Sequence, residues 1–363
     1  LNAKVQGCWF GLKPGDEPVQ ANLKPCGSAV AAFRHREPTD TYSGGLVVGT
    51  DGDGVKDVEE FNVILGCHIA LAIEAPDLRV SGNYVNVFPD GMTFVDVDAI
   101  HQSLLDTGRE AGDSSVEFLE NGRAANNTII GTNGDGKSDG NERNVVAHTV
   151  YDVHIEFYSS ATNTVIAGNY FGVGVDGVTA APVPVNAVPH FVALPGTADA
   201  RIGSNGDGVS DGLEGNLVVK VPGSRIADSG VTVPLTVRRN IFSENSFDAF
   251  PFADGANGTY EAYYAAALLD SSANVVPVID SITAGIMKGT LPAPNTATYA
   301  RSLVDVYVID AKAAEIGLIV PGTYAGSFVE GSASDQNAAA NAFTVDLKGM
   351  SIPPGAQVAI AVT

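Results

Sequence analysis

The sequence predicts an all-β fold in which a parallel β-solenoid is followed by a small antiparallel β-sandwich. An acidic, glycine-rich loop occurs three times, and short apolar strands that contain a glycine or an asparagine at a fixed place alternate with these loops. Apolar residues in several strands recur with a period of two, whereas helical periodicity is nearly absent. Internal repeats of this kind are typical of solenoids, which stack short repeated units along one axis.

The acidic loops share the pattern (Asp/Asn)-x-Asp-Gly-x-x-Asp-x-x-Glu, which starts at Asp51, Asn133 and Asn205. Each copy follows a short apolar run that ends in glycine and precedes the sequence x-Asn-(Val/Leu)-(Val/Ile). Because the flanking sequences match as well, we expect the three loops to occupy equivalent places in the fold.

A second repeated element lies between the loops and contains Gly7-Cys8-Trp9-Phe10, Gly82-Asn83-Tyr84 and Gly168-Asn169-Tyr170-Phe171. Asn62 and Asn83, Asn144 and Asn169, and Asn216 and Asn240 are 21, 25 and 24 residues apart, which is about the length of one solenoid coil of three short strands. We expect these asparagines to adopt the left-handed conformation at a corner and to hydrogen-bond to their copies in the next coil.

Together these elements resemble the right-handed parallel β-helix repeat proteins of bacterial cell surfaces and secretions, the pectate-lyase-like superfold. The resemblance implies a right-handed parallel β-helix with three loop insertions over residues 1–273. It implies little about function, because such helices carry lyases, hydrolases, epimerases and adhesins alike. Short strands between Pro/Gly turns over residues 274–363 predict the β-sandwich, which resembles the Ig-like modules at the C-terminus of many secreted β-helix proteins.

The charge balance excludes some classes of partner. Acidic residues outnumber basic ones 42 to 20, which gives a net charge of −22 and disfavours nucleic acid and anionic membranes. No apolar run is long enough to predict a membrane span. The composition suits a cation-binding protein, and we expect an extracellular or cell-surface location.

The cysteines and the first residues carry two further expectations. Cys8, Cys26 and Cys67 allow either one disulfide and one thiol or three buried thiols, and the sequence leaves the pairing open. Because Lys4 to Gly11 already belong to a repeat, we expect the chain to be a mature or trimmed fragment that begins inside a domain.

The loops carry oxygen ligands at fixed positions, which predicts Ca²⁺ as the cofactor. Their spacing resembles the Asp-x-Asp-Gly-x-x-Asp loops of thrombospondin type-3 repeats and differs from the EF-hand, because glutamate stands at position 10 and no helices flank the loop. The alternative is a polar turn at a solenoid corner. The predicted ligands, at positions 1, 3, 7 and 10, are Asp51, Asp53, Asp57, Glu60, Asn133, Asp135, Asp139, Glu142, Asn205, Asp207, Asp211 and Glu214.

One strand, residues 151–158, carries a candidate catalytic set. Alternation along this strand places Asp152, His154 and Glu156 on its outer face, where carboxylates and a histidine could act as general acid and base on a glycoside. Tyr84 and Tyr170 are candidate sugar-stacking residues. The alternative is an ordinary solvated face, which is favoured by the lack of a basic cluster beside the strand.

Two functions follow from these features. The first is an extracellular, calcium-stabilised β-helix scaffold with a structural, adhesive or glycan-binding role, whose partner is a polysaccharide or cell-surface glycan and which stacks end to end as a homo-oligomer. The alternative is a polysaccharide-active enzyme, a lyase or a glycoside hydrolase.

Overall fold

In a computed structural model of the protein, two compact units are distinguished. The first comprises Leu1–Leu235 and Glu244–Ala249, and the second Thr236–Ser243 and Phe250–Thr363. The predicted boundary at residue 273 lies outside the described residues. Those are residues 3–13, 15–17, 19–24, 26–32, 44–106, 117–121, 126–148, 155–157, 161–185, 192–193, 198–219, 226–227, 232–243, 278–291, 303–309, 321–356 and 358–362.

Short strands form three parallel sheets, which confirms the predicted all-β character. Sheet A has the order β1 (Lys4–Val5), β4 (Val47–Gly49), β7 (Arg79–Ser81), β10 (Ile129–Gly131), β13 (Val165–Ala167), β16 (Ala198–Gly203), β19 (Thr232–Arg238). Sheet B has the order β2 (Trp9–Phe10), β5 (Asn62–Ile64), β8 (Asn83–Val85), β11 (Val145–Val146), β14 (Tyr170–Phe171), β17 (Leu217–Val219), β20 (Ile241–Ser243). Sheet C contains β3 (Cys26–Ala32), β6 (Cys67–Ile73), β9 (Glu117–Asn121), β12 (Ile155–Phe157), β15 (Val192–Ala193) and β18 (Ile226–Ala227).

The chain visits sheets A, B and C in turn, so that each strand pairs with the third strand along. We number these repeats 1 to 7 in chain order; repeats 1 to 6 have three strands each, and repeat 7 has β19 and β20 among the described residues. Their registers place β-branched and aromatic side chains in continuous buried columns, which is the environment that such residues favour in sheets. One column in sheet A contains Val48, Val80, Ile130, Ile166 and Ile202, all fully buried.

Helices are short and few among the described residues. Helix α1 spans Val97–Asp106, and helix α2 spans Asp211–Glu214 within the third acidic loop. Residues Val97 and Ile100 of α1 pack with Val63, Leu65 and other apolar residues. No helix among the described residues is long and apolar enough to cross a membrane.

A ladder of buried asparagines runs along the start of sheet B, as predicted. Each side-chain amide donates to the Oδ1 atom of the asparagine in the next repeat and to a backbone carbonyl of the preceding repeat, so that its two N–H groups are both bonded. The side-chain distances are 2.9, 2.9, 2.8 and 3.0 Å for Asn62–Asn83, Asn83–Asn144, Asn144–Asn169 and Asn169–Asn216.

The expectation that these asparagines adopt the left-handed conformation is wrong. Asn62 and Asn83 lie in extended strands, and positive φ angles fall on the glycines just before Asn83 and Asn169, 69° at Gly82 and 73° at Gly168. Glycine has no Cβ and turns the chain without steric cost, so the asparagine after it stays extended and reaches its neighbours.

A disulfide joins Cys26 in β3 to Cys67 in β6, at paired positions of adjacent strands. The structure therefore has one disulfide and one remaining thiol, at Cys8, which donates to the Gln6 carbonyl over 3.3 Å. Of the alternatives that the sequence leaves open, this is the first.

The second unit contains two three-stranded antiparallel sheets with a shared core. The aromatic rings of Phe328 and Phe343, one from each sheet, lie 5.3 Å apart. Arg238 makes a buried, bidentate ion pair with Asp305 in this unit, over 2.8 and 3.1 Å. The sheets have the orders β21 (Val278–Thr283), β22 (Ile286–Thr290), β25 (Ala342–Asp346) and β24 (Pro321–Val329), β23 (Leu303–Ile309), β26 (Val358–Val362).

Candidate metal-binding loops

The three acidic loops lie in repeats 2, 4 and 6, each between a strand of sheet A and a strand of sheet B. We call them loop 1 (residues 49–60), loop 2 (residues 131–142) and loop 3 (residues 203–214). Positions are counted from Asp51, Asn133 and Asn205 as position 1. The structure thus places the loops at corresponding sites, as their shared flanking sequences predict.

A hydroxyl just before position 1 orients the carboxylate of position 7 in every loop. It donates to one carboxylate oxygen and accepts the backbone N–H of the glycine at position 2. These hydroxyls were not among the predicted site residues, although all three copies have Thr or Ser at this place. The hydroxyl–carboxylate distances are 2.8, 2.7 and 2.8 Å for Thr50–Asp57, Thr132–Asp139 and Ser204–Asp211.

The backbone of each loop folds around its own side-chain oxygens. The N–H of position 3 donates to the side-chain oxygen of position 1, the N–H of position 4 to the carboxylate of position 7, and the N–H of position 5 to the carboxylate of position 3. The nine distances lie between 2.7 and 3.3 Å. Position 6 has a positive φ angle in all three loops, at Lys56, Ser138 and Ser210.

The glutamate at position 10 closes each loop by accepting the backbone N–H of position 1, over 3.2, 3.0 and 3.1 Å in loops 1, 2 and 3. Glu142 and Glu214 are fully buried, and the other oxygen of each pairs with an arginine. Arg79 contacts Glu142, and Arg201 lies 2.8 Å from Glu214. In this structure, therefore, both oxygens of these two predicted ligands have protein partners.

Glycines in repeats 3 and 5 bring successive loops together. A Cβ atom at Gly82 would lie 2.9 Å from Thr50 Cγ2 and 2.7 Å from the Asn141 carbonyl, so this residue is held between loops 1 and 2. Gly168 is held in the same way between Thr132 and Leu213 of loops 2 and 3. The tight glycine corners of the odd repeats thus let the loops of the even repeats form one stack.

Loop 1 differs from the other two at position 1. The carboxylates of Asp51, Asp53 and Asp57 offer oxygens that all lie within 4.8 Å of one another. Lys4 contacts Asp51. This hydrogen bond lowers the pKa of Asp51 and raises the pKa of Lys4.

Loops 2 and 3 replace this aspartate by asparagine, whose side-chain amide donates to the carboxylate of position 3. The distance is 3.1 Å for Asn133–Asp135 and 3.0 Å for Asn205–Asp207. The repulsion between the carboxylates of positions 1 and 3 in loop 1 is thereby replaced by a hydrogen bond in loops 2 and 3. In loop 2, burial raises the pKa of Glu142, which Arg79 partly offsets.

The oxygen atoms of loop 1 fit a hard divalent cation. Calcium takes six to eight oxygens from carboxylates, carbonyls and water, and magnesium demands a stricter octahedron. Asp57 is buried and held by Thr50, Asp51 is half-buried and Asp53 is exposed, so the cluster has an ordered inner side and an open outer side. No other such cluster of histidine, cysteine or acidic residues occurs in the described part of the chain.

Of the three predicted catalytic residues, one lies among the described residues. Asp152 and His154 lie outside the described residues, and Glu156 lies in β12. The register of sheet C pairs Glu156 with Glu120 of the adjacent strand β9. Glu120 was not among the predicted site residues, because only the pairing of strands brings the two together.

Tyr84 and Tyr170, the predicted sugar-stacking residues, are half-buried beside an apolar cluster on sheet B that includes Val145. The guanidinium carbon of Arg143 lies 3.9 Å from the centre of the Tyr170 ring, and Phe61 packs on Tyr84 with ring centres 5.2 Å apart. Burial raises the pKa of Tyr84. These contacts involve both rings in the packing of sheet B.

No protein-family model matches this chain, and no curated protein or solved structure matches it significantly.

Proposed function

We propose that the first unit is a right-handed parallel β-helix that serves as an extracellular scaffold, with calcium bound in its acidic loops. The observation that carries this proposal is the set of three carboxylates in loop 1, within a hydrogen-bond pattern that recurs in loops 2 and 3. The order of sheets A, B and C supports the helix, because crossovers between parallel strands are overwhelmingly right-handed.

Calcium has a structural role in this proposal. The loops stack along one edge through Gly82 and Gly168, and their inner carboxylates are tied to backbone N–H groups. A cation in such a stack neutralises the repulsion between carboxylates and ties the loops to sheets A and B. The net charge of −22 makes this neutralisation more valuable.

The extracellular location rests on two features. The disulfide between Cys26 and Cys67 is a bond that persists mainly in oxidising compartments, and calcium is abundant outside cells. As partners we propose a polysaccharide or cell-surface glycan and further copies of this chain. β1, β2 and β3 each end their sheet among the described residues, and terminal strands are the edges through which solenoids stack.

Calorimetry on chelator-treated protein tests the calcium proposal. We expect heat of binding and a higher melting temperature in calcium, both reduced when Asp51, Asp53 and Asp57 of loop 1 are changed to asparagine while loops 2 and 3 keep their ligands. Glu17→Gln, at an exposed site outside the loops, is the control for the loss of a single negative charge. A wild-type chain whose melting temperature is the same in calcium and in EDTA would sink the proposal.

The enzyme remains a second candidate because of one observation, the pairing of Glu120 with Glu156. Glycosidases use two carboxylic residues that flank the scissile bond. A polysaccharide screen that reads reducing ends and unsaturated products tests it. Activity that Glu120→Gln or Glu156→Gln abolishes would replace the scaffold proposal, and a silent screen would reject the enzyme.

A further inference from the structure

Loops 2 and 3 each begin with an Asn-Gly pair, where loop 1 has Asp-Gly. We infer that Asn205, and more slowly Asn133, is a site of spontaneous deamidation that the hydrogen bonds of its own loop promote. The product is an aspartate at position 1, the residue that loop 1 already has. This covalent step goes beyond the proposed scaffold function and does not depend on calcium.

The contacts of loop 3 surround the two atoms that would react. The nucleophile is the backbone nitrogen of Gly206, whose N–H donates to Ser204 Oγ over 3.0 Å. Ser204 Oγ in turn donates to Asp211 Oδ1 over 2.8 Å. A proton leaving the glycine nitrogen can therefore pass through the hydroxyl to a carboxylate, which is the arrangement of a general base acting through a relay.

The electrophile in loop 3 is the side-chain carbonyl of Asn205, which a backbone hydrogen bond polarises. The side-chain oxygen of Asn205 accepts the backbone N–H of Asp207 over 2.9 Å, which stabilises negative charge as it develops on that oxygen. The departing amide nitrogen donates to the Asp207 carboxylate over 3.0 Å. Residue 206 is glycine, so no side chain blocks the approach of its nitrogen to the asparagine.

The step balances with water as the only co-reactant. The Gly206 nitrogen bonds to Cγ of Asn205, and the bond from Cγ to the amide nitrogen breaks. The proton lost by the glycine nitrogen ends on the departing amide, which leaves as ammonia. Water then opens the cyclic imide at one of its two carbonyls and gives aspartate or isoaspartate at position 205.

Loop 1 shows that the fold accepts the α-linked product. Asp51 keeps the side-chain bond from the N–H of Asp53, over 3.3 Å, and its own N–H still donates to Glu60. Deamidation of loop 3 would therefore add a carboxylate at the place where loop 1 has one. The loop would gain a negative charge and lose its internal amide–carboxylate bond.

Loop 2 has the same relay but is less accessible. Gly134 donates to Thr132 over 3.0 Å, and Thr132 donates to Asp139 over 2.7 Å. Gly134 is buried and Asn133 half-buried, whereas Asn205 and Gly206 are both exposed. Cyclisation moves the chain at these two residues, so we expect the reaction to be slower in loop 2.

Peptide mapping by mass spectrometry tests the inference, with the full chain held at 37 °C in EDTA so that calcium has no influence. The mass gain of about one dalton at position 205 is followed over time, in native buffer and in urea. Asn121-Gly122 and Asn257-Gly258 are internal references with the same dipeptide and without the Ser/Thr-x-Gly-Asp context. We expect folded protein to react at least ~10-fold faster at position 205 than unfolded protein, below the usual 10²–10⁴ of a positioned acid or base.

Ser204 variants distinguish the relay from simple exposure. Ser204→Ala removes the relay and should bring the rate at position 205 down to that of the urea sample, whereas Ser204→Thr, the residue of the other two loops, should keep it. Circular dichroism confirms that each variant is folded. A folded rate no higher than the unfolded rate, or a Ser204→Ala rate no lower than wild type, would overturn the inference.

Discussion

Loop 1 and loop 2 have the same backbone bonds but balance their charges differently. Loop 1 keeps three carboxylates together and offsets them with the exposed Lys4, while its glutamate, Glu60, is only partly buried. Loop 2 replaces one carboxylate by Asn133 and buries its glutamate, Glu142, against Arg79. The acidic residues of loop 1 are thus paired with an exposed lysine, whereas loop 2 pairs a buried glutamate with an arginine.

This difference has a consequence for the stack as a whole. Loops 2 and 3 each pair a buried glutamate with an arginine, and no such pair occurs at loop 1 among the described residues, so calcium should matter most to loop 1. The largest effects on unfolding should instead come from breaking the internal pairs.

Removal of a buried glutamate gives the largest expected effect. Glu142→Ala leaves Arg79 without its carboxylate and the Asn133 N–H without its acceptor. We expect a loss of about 3–5 kcal/mol in the free energy of unfolding, measured in urea. Glu60→Ala in loop 1 is the matched variant and should cost only about 1 kcal/mol. Equal losses would mean that the two loops are held in the same way.

Exchange of the residues at position 1 of loops 1 and 2 should lower the calcium affinity of loop 1 and raise that of loop 2. Asp51→Asn should weaken binding at loop 1 roughly tenfold, and Asn133→Asp should strengthen it at loop 2 by a similar factor, because ligand charge tunes affinity in such sites. Isothermal titration of each variant and of the double exchange measures both. An Asp51→Asn chain with wild-type affinity would contradict the assignment of loop 1.

Lys4 should compete with the cation at loop 1. Lys4→Met removes the side chain that contacts Asp51, so we expect calcium to bind about threefold more tightly, in line with a surface ion pair. Lys137→Met, which changes an exposed lysine of loop 2, is the control and should change the affinity of loop 1 less. Weaker binding after Lys4→Met would indicate that the lysine helps to build the site.

The two loops should respond to pH in opposite directions. The pKa of Asp51 is lowered in the folded chain, so its contribution to stability is present above its unfolded pKa, near 3.8, and is lost as pH falls. The pKa of Glu142 is raised, so its contribution is present below about 4.5 and is lost as pH rises through the folded value. We therefore expect the Asp51→Asn and Glu142→Gln substitutions to change the pH dependence of the free energy of unfolding in opposite directions. The measurement is denaturant unfolding of each variant in EDTA between pH 3 and pH 7.

Local features of this fold could be predicted because the sequence motifs that encode them are repeated. The equivalent positions of the loops and the contacts between ladder asparagines follow from repeated motifs with similar flanking sequences, and the structure confirms both. The predicted left-handed conformation of the ladder asparagines was wrong. Gly82, just before Asn83, adopts the left-handed conformation instead, because a glycine has no Cβ that would clash there.

Contacts between residues that are distant in the sequence pattern could not be predicted in the same way. Arg79 lies 63 residues from Glu142, whereas Arg201 lies 13 residues from Glu214, so no fixed spacing links the arginine to its loop. The same holds for Glu120 and Glu156, which only the register of sheet C brings together. The alternation of loops and glycine corners is visible in the sequence, but the stacking of loops through Gly82 needs the three-dimensional spacing of repeats.

Calcium binding at loop 1 can be tested in a crystal of the full chain grown in calcium, with anomalous diffraction data. We expect an anomalous peak in loop 1, coordinated by Asp51, Asp53 and Asp57, that is stronger than any peak in loops 2 and 3. Loop 1 without a peak, in a crystal that contains saturating calcium, would contradict it.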